Sequence, residues 1–171
     1  MARGYRFLTT WLLEASRQAV WDVLADVESW PVWWPGVAAA KELDPGDEHR
    51  VGSRYRVRWR APVGYSVEFE FTVDSLDEPR RMAGRASGDL EGVGVWRLFE
   101  EGGVTAVTYE WEVVGTRAWM NALGALPRPI FRWSHDRVMA GGGKGLRAHL
   151  DRSVRPGGSR TERGGHDATF Q

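Results

Sequence analysis

Residues 54–74 read RYRVRWRAPVGYSVEFEFTVD, and the pattern of this stretch guides the interpretation of the whole chain. On both sides of a short central turn, apolar and polar residues alternate, which predicts two β-strands with one buried and one wet face each. An antiparallel hairpin places Arg58 opposite Glu68, and the same register places Arg56 opposite Glu70. Such pairs contribute only about 0.2–1 kcal/mol each, but they favour one register. The glutamates account for the row of arginines better than a phosphate-binding strip does.

The period of two continues to about residue 115. Two strands interrupted by glycines are predicted at 82–87 and 93–99, and a last strand at 105–113. Before the hairpin, residues 5–14 are rich in aromatic and β-branched side chains and predict a first strand. Together with the remaining segment of period two, these strands predict a seven-stranded antiparallel sheet.

Helical patterns stand on both sides of the sheet segment. Ser16 is a predicted N-cap, and apolar residues at helical spacing follow it to about Asp26. Prolines limit a second short helical piece at 28–36. After the last strand, a short helical lead-in is predicted at 118–126 and a long helix at 130–151.

A sheet with one apolar face must cover that face, and the long helix is the only predicted element large enough to do so. We therefore expect an α+β domain over residues 1–151, with two short helices after the first strand and a curved sheet wrapped around the C-terminal helix. A gap between sheet and helix is the candidate site. Residues 152–171 are poor in large hydrophobic side chains and predict a disordered tail.

Composition excludes several classes of function. Lys plus Arg and Asp plus Glu both total 23, and no basic stripe marks a nucleic-acid partner. The chain has no cysteine, which removes thiol catalysis and thiolate metal sites. Its histidines and carboxylates lack metal-ligand spacing. No apolar run has membrane-spanning length, so we expect a cytoplasmic monomer or weak dimer without metal or cofactor.

Two segments resemble a known superfamily. Residues 20–31 read VWDVLADVESWP, which resembles the helix signature of the SRPBCC or START-like superfamily in its polyketide cyclase/dehydrase branch. Residues 131–139, FRWSHDRVM, are similar to the terminal helix of such proteins. The resemblance spans about residues 5–151 and implies a helix-grip fold that holds a hydrophobic small molecule, either a lipid or an aromatic, polyketide-like compound.

The resemblance also allows a comparison with aromatase/cyclases. Trp30 matches their inward tryptophan, and the Phe-Glu-Phe at 69–71 stands where they carry Trp-x-Trp. Their serine and arginine positions correspond to Val73 and Ser75, and a tyrosine position corresponds to Val37. Aldol cyclisation needs groups that polarise a carbonyl and move protons. The missing groups favour a binding protein over an enzyme.

His135 is the best single candidate for proton transfer or for a hydrogen bond to a ligand, because a helical wheel places it on the inner face of the long helix. The simpler alternative is a core histidine bonded to Tyr109 or to a backbone carbonyl. Tyr109 is the second catalytic candidate. The expected ligand-binding residues, which also suit a packed core, are Trp30, Trp34, Tyr55, Val57, Trp59, Val67, Phe69, Phe71, Trp96, Leu98, Tyr109, Trp111, Phe131, His135 and Met139.

Glycines and tryptophans are the remaining unusual features. Residues 140–145, AGGGKG, lack the strand and the spacing of a phosphate-binding loop. Inside a helix they indicate close packing against the sheet, room for a ligand, or a helix break. The ten tryptophans suit the walls of a pocket, although a packed core would also use them. If Trp33 or Trp34 rims the mouth of the pocket, the rim could instead dock a protein partner.

Overall fold

One curved antiparallel sheet forms the main layer of the computed structural model, which describes residues 4–62, 64–116 and 128–154. Over these residues the order of strands across the sheet is β1-β7-β6-β5-β4-β3-β2. The strands are β1 (Gly4–Leu13), β2 (Val37–Asp44), β3 (Arg54–Arg60), β4 (Ser66–Asp77), β5 (Arg81–Gly88), β6 (Leu90–Glu101) and β7 (Val104–Gly115). This architecture confirms the predicted α+β helix-grip fold.

The helices cover the apolar face of the sheet. They are α1 (Arg17–Ala25), a 3-10 turn (Val27–Ser29), α2 (Trp30–Trp33) and α3 (Arg128–Val154). Ser16 caps α1 as predicted, because its hydroxyl oxygen accepts a hydrogen bond from the Ala19 amide at 3.3 Å. This contact satisfies one of the amides that a helix leaves free at its start.

The predicted hairpin register is confirmed at the contact between β3 and β4. Arg58 faces Glu68 across the strands, with a distance of 2.7 Å from Nη2 to Oε2. Arg56 faces Glu70 at 2.8 Å. Since all four side chains are partly exposed to solvent, with 30–56% of each side chain accessible, these pairs fix the register rather than supply much stability.

The long helix ends later than the sequence predicts. It continues through Ser153 to Val154, where the Ser153 hydroxyl donates to the carbonyl oxygen of His149 at 3.1 Å. Buried Leu150 anchors this end against the core, so the predicted boundary after residue 151 falls within a helical turn. The predicted lead-in at 118–126 and residues 155–171 lie outside the described residues.

The glycines of α3 allow close packing and do not break the helix, which is continuous through them. A Cβ atom on Gly145 would lie 1.7 Å from the carbonyl oxygen of Trp33, and one on Gly142 would lie 2.5 Å from the Trp34 ring. A Cβ on Gly143 would lie 2.7 Å from the Trp11 ring. The helix is therefore in contact with α2 and with β1, and the glycines at 142, 143 and 145 leave no room for a ligand.

Seven tryptophans form one connected cluster in the core. Trp34 is fully buried, and its Nε1 donates to the carbonyl oxygen of Val138 in α3 at 2.8 Å. Its ring lies 5.3–6.3 Å, between centroids, from the rings of Trp11, Trp30, Trp33, Trp59 and Trp96, and Trp111 joins the cluster through Trp59. The expected exposed rim of Trp33 and Trp34 is therefore wrong, because the short helix turns both indoles inward.

Candidate functional site

A small cavity lies between the sheet and the first turns of α3, and we call it the His135 cavity. Its volume is about 40 Å³. Five of its lining residues are among those expected from the sequence, namely Trp59, Val67, Trp111, Phe131 and His135. The remaining five lining residues were not expected from the sequence, and they are Ala61, Tyr65, Leu90, Ser134 and Val138.

The missed lining residues carry a partial signal in the sequence. Ser134 and Val138 lie three and seven positions after Phe131, which is the spacing of one helical face. Tyr65 continues the apolar alternation of β4. Ala61 and Leu90 stand just outside the alternating runs, at a turn and at a strand start, so periodicity alone does not place them.

The other residues that the sequence analysis proposed for ligand binding lie elsewhere in the structure. Trp34, Val57, Leu98 and Met139 are at most 2% exposed and belong to the packed core. Trp30, Phe69, Trp96 and Tyr109 are also buried there, and Phe71 is half-buried against it. Tyr55 lines a second pocket of about 180 Å³ beneath α1, together with Trp21, Arg50 and Met82.

The size of the His135 cavity limits what it can hold. A volume of about 40 Å³ accommodates one water-sized group, whereas pockets for drug-sized ligands measure roughly 300–1,000 Å³. The interior, where the sequence predicts a gap, is over the described residues largely filled by the tryptophan cluster. Among the described residues, open space remains in the His135 cavity, at the end of the sheet where α3 begins, and in the pocket beneath α1.

His135 lies in the wall of this cavity, as its position on the helical wheel predicted. It is 7% exposed, and its ring stacks on Phe7 with 3.8 Å between centroids. Its Nδ1 is 3.4 Å from a carboxylate oxygen of Asp136, while its Nε2 is buried and has no hydrogen-bond partner among the described residues. The interpretation as a core histidine bonded to Tyr109 or to a carbonyl is therefore wrong within this part of the chain.

Burial also determines the charge of the imidazole. Loss of hydration lowers the pKa of His135, and the hydrogen bond and charge of Asp136 oppose that shift without reversing it. The ring is therefore neutral at neutral pH. Because the Asp136 carboxylate can only accept, the proton of the neutral ring lies on Nδ1, which leaves Nε2 as a bare acceptor.

Three other residues of the cavity lining carry polar groups, namely Trp59, Tyr65 and Ser134. The indole Nε1 of Trp59 and the Ser134 hydroxyl are both buried without a close hydrogen-bond partner among the residues that the structure describes. Burial raises the pKa of the Tyr65 hydroxyl, and the Ser134 side chain opposes that shift. In the described part of the chain, no charged side chain lines the cavity.

The second catalytic candidate, Tyr109, does not line the cavity. It stacks on Trp96 with 4.0 Å between ring centroids, and complete burial raises the pKa of its hydroxyl. A buried phenol of this kind keeps its proton across the physiological range. We therefore assign Tyr109 to packing.

Val73 and Ser75, the two positions compared with the cyclase serine and arginine, do not share a face, because the register of β4 shifts between them. Val73 packs in the core, but the Ser75 hydroxyl accepts a hydrogen bond from Arg81 at 2.7 Å. Leu76 packs against the core after the shift. A β-bulge of this type moves the following side chains to the opposite face, so neither position supplies a polar group to the cavity.

The fold and the sequence together show the family. The family described as "Polyketide cyclase / dehydrase and lipid transport" matches residues 7–155, and the chain belongs to this family. No curated protein matches the chain significantly.

Solved structures with the same fold include an aromatase/cyclase and proteins whose names state no activity. The chain is similar to the Zhui aromatase/cyclase from Streptomyces sp. R1128, with 20% identity over 90% of this chain and 97% of that one and a TM-score of 0.74. TTHA0849 from Thermus thermophilus gives 18% identity, 88% and 100% coverage and a TM-score of 0.76. A START superfamily protein from Mycobacterium smegmatis is 15% identical over 86% of this chain and 98% of that one, with a TM-score of 0.71. These likenesses show the fold.

Two further findings concern the described residues only. Within them, no group of three or more histidine, cysteine, aspartate or glutamate side chains is arranged to hold a metal ion. No helix in this part of the chain is long and apolar enough to cross a membrane.

The buried, neutral state of His135 predicts a pH dependence of stability. Below the ordinary histidine pKa of about 6.5, the unfolded chain binds a proton that the folded chain does not bind until a lower pH. The free energy of unfolding should therefore fall as the pH falls below that value. His135→Phe should remove this part of the loss, which is at most about 1.4 kcal/mol at pH 5.5, as measured by urea unfolding at pH 7.5 and 5.5.

The control for this experiment is His49→Gln, which changes an exposed loop histidine and should keep the wild-type pH dependence. An equal loss of stability on acidification in wild type and His135→Phe would contradict the assignment of a buried neutral imidazole.

Proposed function

We propose that the protein binds a small, apolar, uncharged molecule at the His135 cavity. The observation that carries this proposal is a cavity with aromatic and aliphatic walls, no charged lining residue in the described chain, and three lining residues, Trp59, Ser134 and His135, that each bury a polar atom without a close hydrogen-bond partner among the described residues. Apolar pockets with a few convergent polar groups are typical of small-molecule sites. Unsatisfied buried polar atoms are rare in native proteins and call for an occupant.

The surroundings of the cavity support an apolar occupant. Tyr65 and Phe131 are its half-buried lining residues, and they mark the side on which it meets solvent. Phe131 contacts Tyr5 and Phe7 of β1, with ring centroids 4.4 and 6.0 Å apart. Only one end of a ligand fits into about 40 Å³, so the rest of the molecule lies against these aromatic rings at the mouth.

Tryptophan emission provides the test, because Trp59 and Trp111 line the cavity. A panel of uncharged probes, such as n-alkanols, alkanes and monoacylglycerols, should contain members that change the emission with saturation. Trp59→Phe should lose most of that change. Trp21→Phe, a buried tryptophan of the second pocket, is the matched control and should keep it.

Two outcomes would count against the proposal. The first is an emission spectrum that no compound of the panel alters. The second is a response that survives in Trp59→Phe but disappears in Trp21→Phe, which would move binding to the pocket beneath α1.

A cyclase or dehydratase activity is the second candidate, and the state of His135 favours it. A neutral imidazole whose free Nε2 borders an apolar cavity can act as a general base towards a bound carbonyl compound. The cavity has no cationic lining group in the described chain to polarise the carbonyl, which favours binding alone. If the protein is an enzyme, it turns over an offered poly-β-ketone and His135→Gln does not, although the variant still binds the probes.

A further inference from the structure

We infer that the ligand presents a neutral hydroxyl group, as an alcohol or a phenol, to the inner end of the His135 cavity. The inference rests on the proposed function and narrows it to a chemical class. It follows from the hydrogen-bonding capacity that the fold leaves unused at this end.

The acceptor in this arrangement is Nε2 of His135. Asp136 fixes the tautomer from outside the cavity, since its side chain is 75% exposed and its carboxylate accepts a hydrogen bond from the Nδ1–H group. Stacking on Phe7 holds the plane of the ring. Nε2 is thus a buried lone pair that only a donor can satisfy.

The donor in this arrangement is Nε1 of Trp59, because an indole nitrogen donates and never accepts. Its ring is held by contacts with Trp34, Phe69 and Trp111, with centroids 5.3–5.6 Å apart. The ring cannot turn to find another partner without disturbing the core. Both residues line the same small cavity, together with Ser134, whose buried hydroxyl also lacks a close partner among the described residues and can donate or accept. A hydroxyl on the ligand is complementary to this set, because it can donate to His135 and accept from Trp59 or Ser134.

Other functional groups on the ligand leave a polar atom of the cavity without a hydrogen bond or bring a charge into it. A ketone or ether accepts from Trp59 but leaves His135 unsatisfied, and an alkane satisfies neither. A carboxylate brings a negative charge against the Nε2 lone pair, and no cationic group lines the described cavity to compensate it. A protonated amine meets no carboxylate there. Burial of an uncompensated charge is strongly unfavourable.

The size of the cavity agrees with a hydroxyl. About 40 Å³ holds an oxygen atom and little more of the molecule, so a hydroxyl at the inner end lies close to every wall. The carbon skeleton then extends past Phe131 and Tyr65 towards solvent. Both a slender alkyl chain and an aromatic ring suit this path, and the experiment below separates them.

The test compares each hydroxyl compound with a fluorine analogue of nearly the same shape that cannot donate. One arm uses 1-octanol and 1-fluorooctane, and the other uses 4-propylphenol and 1-fluoro-4-propylbenzene. Dissociation constants are measured by tryptophan emission for the wild type, His135→Phe and His149→Gln. We expect the hydroxyl compound of at least one pair to bind at least about tenfold more tightly than its fluorine analogue, because the analogue leaves the buried Nε2 acceptor of His135 unpaired.

The variants separate the inference from the function on which it rests. His135→Phe should lose most of the preference within a pair, because the hydroxyl proton no longer has an acceptor, while the analogue still binds. His149→Gln, on the same helix but outside the cavity lining, should keep the preference. Equal binding of hydroxyl and fluorine compounds by the wild type would overturn the hydroxyl assignment and leave apolar binding intact. Failure of all four probes to bind would overturn both.

Discussion

Trp34→Ala is expected to lower the free energy of unfolding by about 3–5 kcal/mol, which is the range for removing a large aromatic side chain from a close-packed interior. Trp34 is fully buried, contacts five other indoles and closes a hydrogen bond to the Val138 carbonyl of α3. Its removal leaves a large void and separates α2 from α3. Urea unfolding followed by far-UV circular dichroism measures the loss without depending on tryptophan emission.

Trp133→Ala is the matched control for this substitution, because Trp133 is 48% exposed on the outside of α3. It should change stability by less than about 0.5 kcal/mol. Trp34→Phe keeps most of the ring but loses the donor to Val138, so its effect should fall between the two. Comparable stabilities for Trp34→Ala and Trp133→Ala would contradict the role of Trp34 at the centre of the core.

Gly145→Ala should destabilise the protein by about 3 kcal/mol or more, at the upper end of overpacking effects. The new Cβ would lie 1.7 Å from the backbone oxygen of Trp33. A backbone atom cannot move aside as a flexible side chain does, so α3 must shift away from α2. The same urea titration measures the effect.

Gly141→Ala, one turn earlier on the same helix, tests the opposite case. Its Cβ would meet nothing closer than Pro35 at 4.0 Å. Alanine in a helix interior is favoured over glycine by roughly 0.5–1 kcal/mol, so this variant should be as stable as the wild type or more stable. Stabilisation by both alanines would show that α3 and α2 are not in close contact.

The alternating period of residues 54–74 was sufficient to predict the hairpin and its register, because each apolar residue on one strand required an apolar partner on the next. The one-sided sheet then required a covering helix. The predicted end of α3 is too early, although Pro156, two residues after Val154, is the signal in the sequence that limits the helix. The register shift after Val73 was not predictable, because a bulge inserts one residue without a distinctive sequence pattern.

The candidate site was only partly predictable, for a physical reason. Periodicity shows which face of an element is apolar, and it placed His135 and Trp59 on inner faces. It does not show whether the space between two apolar faces is empty or filled. Filling depends on how Trp34 folds back between α3 and the sheet, and on three glycines that let α3 approach it. Among the described residues, the interior is thus solid around Trp34, with space left near His135 and beneath α1.

The unpaired polar atoms could not be predicted from the sequence either. A histidine on an inner helical face has the same pattern whether its Nε2 is bonded or free. Only the packing of Phe7 against the imidazole, together with Asp136 on its outer nitrogen, shows which atom is left without a partner.

The location of ligand binding is tested most directly by the indole N–H resonances of ¹⁵N-labelled protein during a titration with 1-octanol. We expect a saturable shift of the Trp59 resonance, since Trp59 lines the cavity and its Nε1 is an unpaired donor. The Trp21 resonance should stay in place. A shift confined to Trp21, or indole resonances that do not move at saturating octanol, would contradict binding at the His135 cavity.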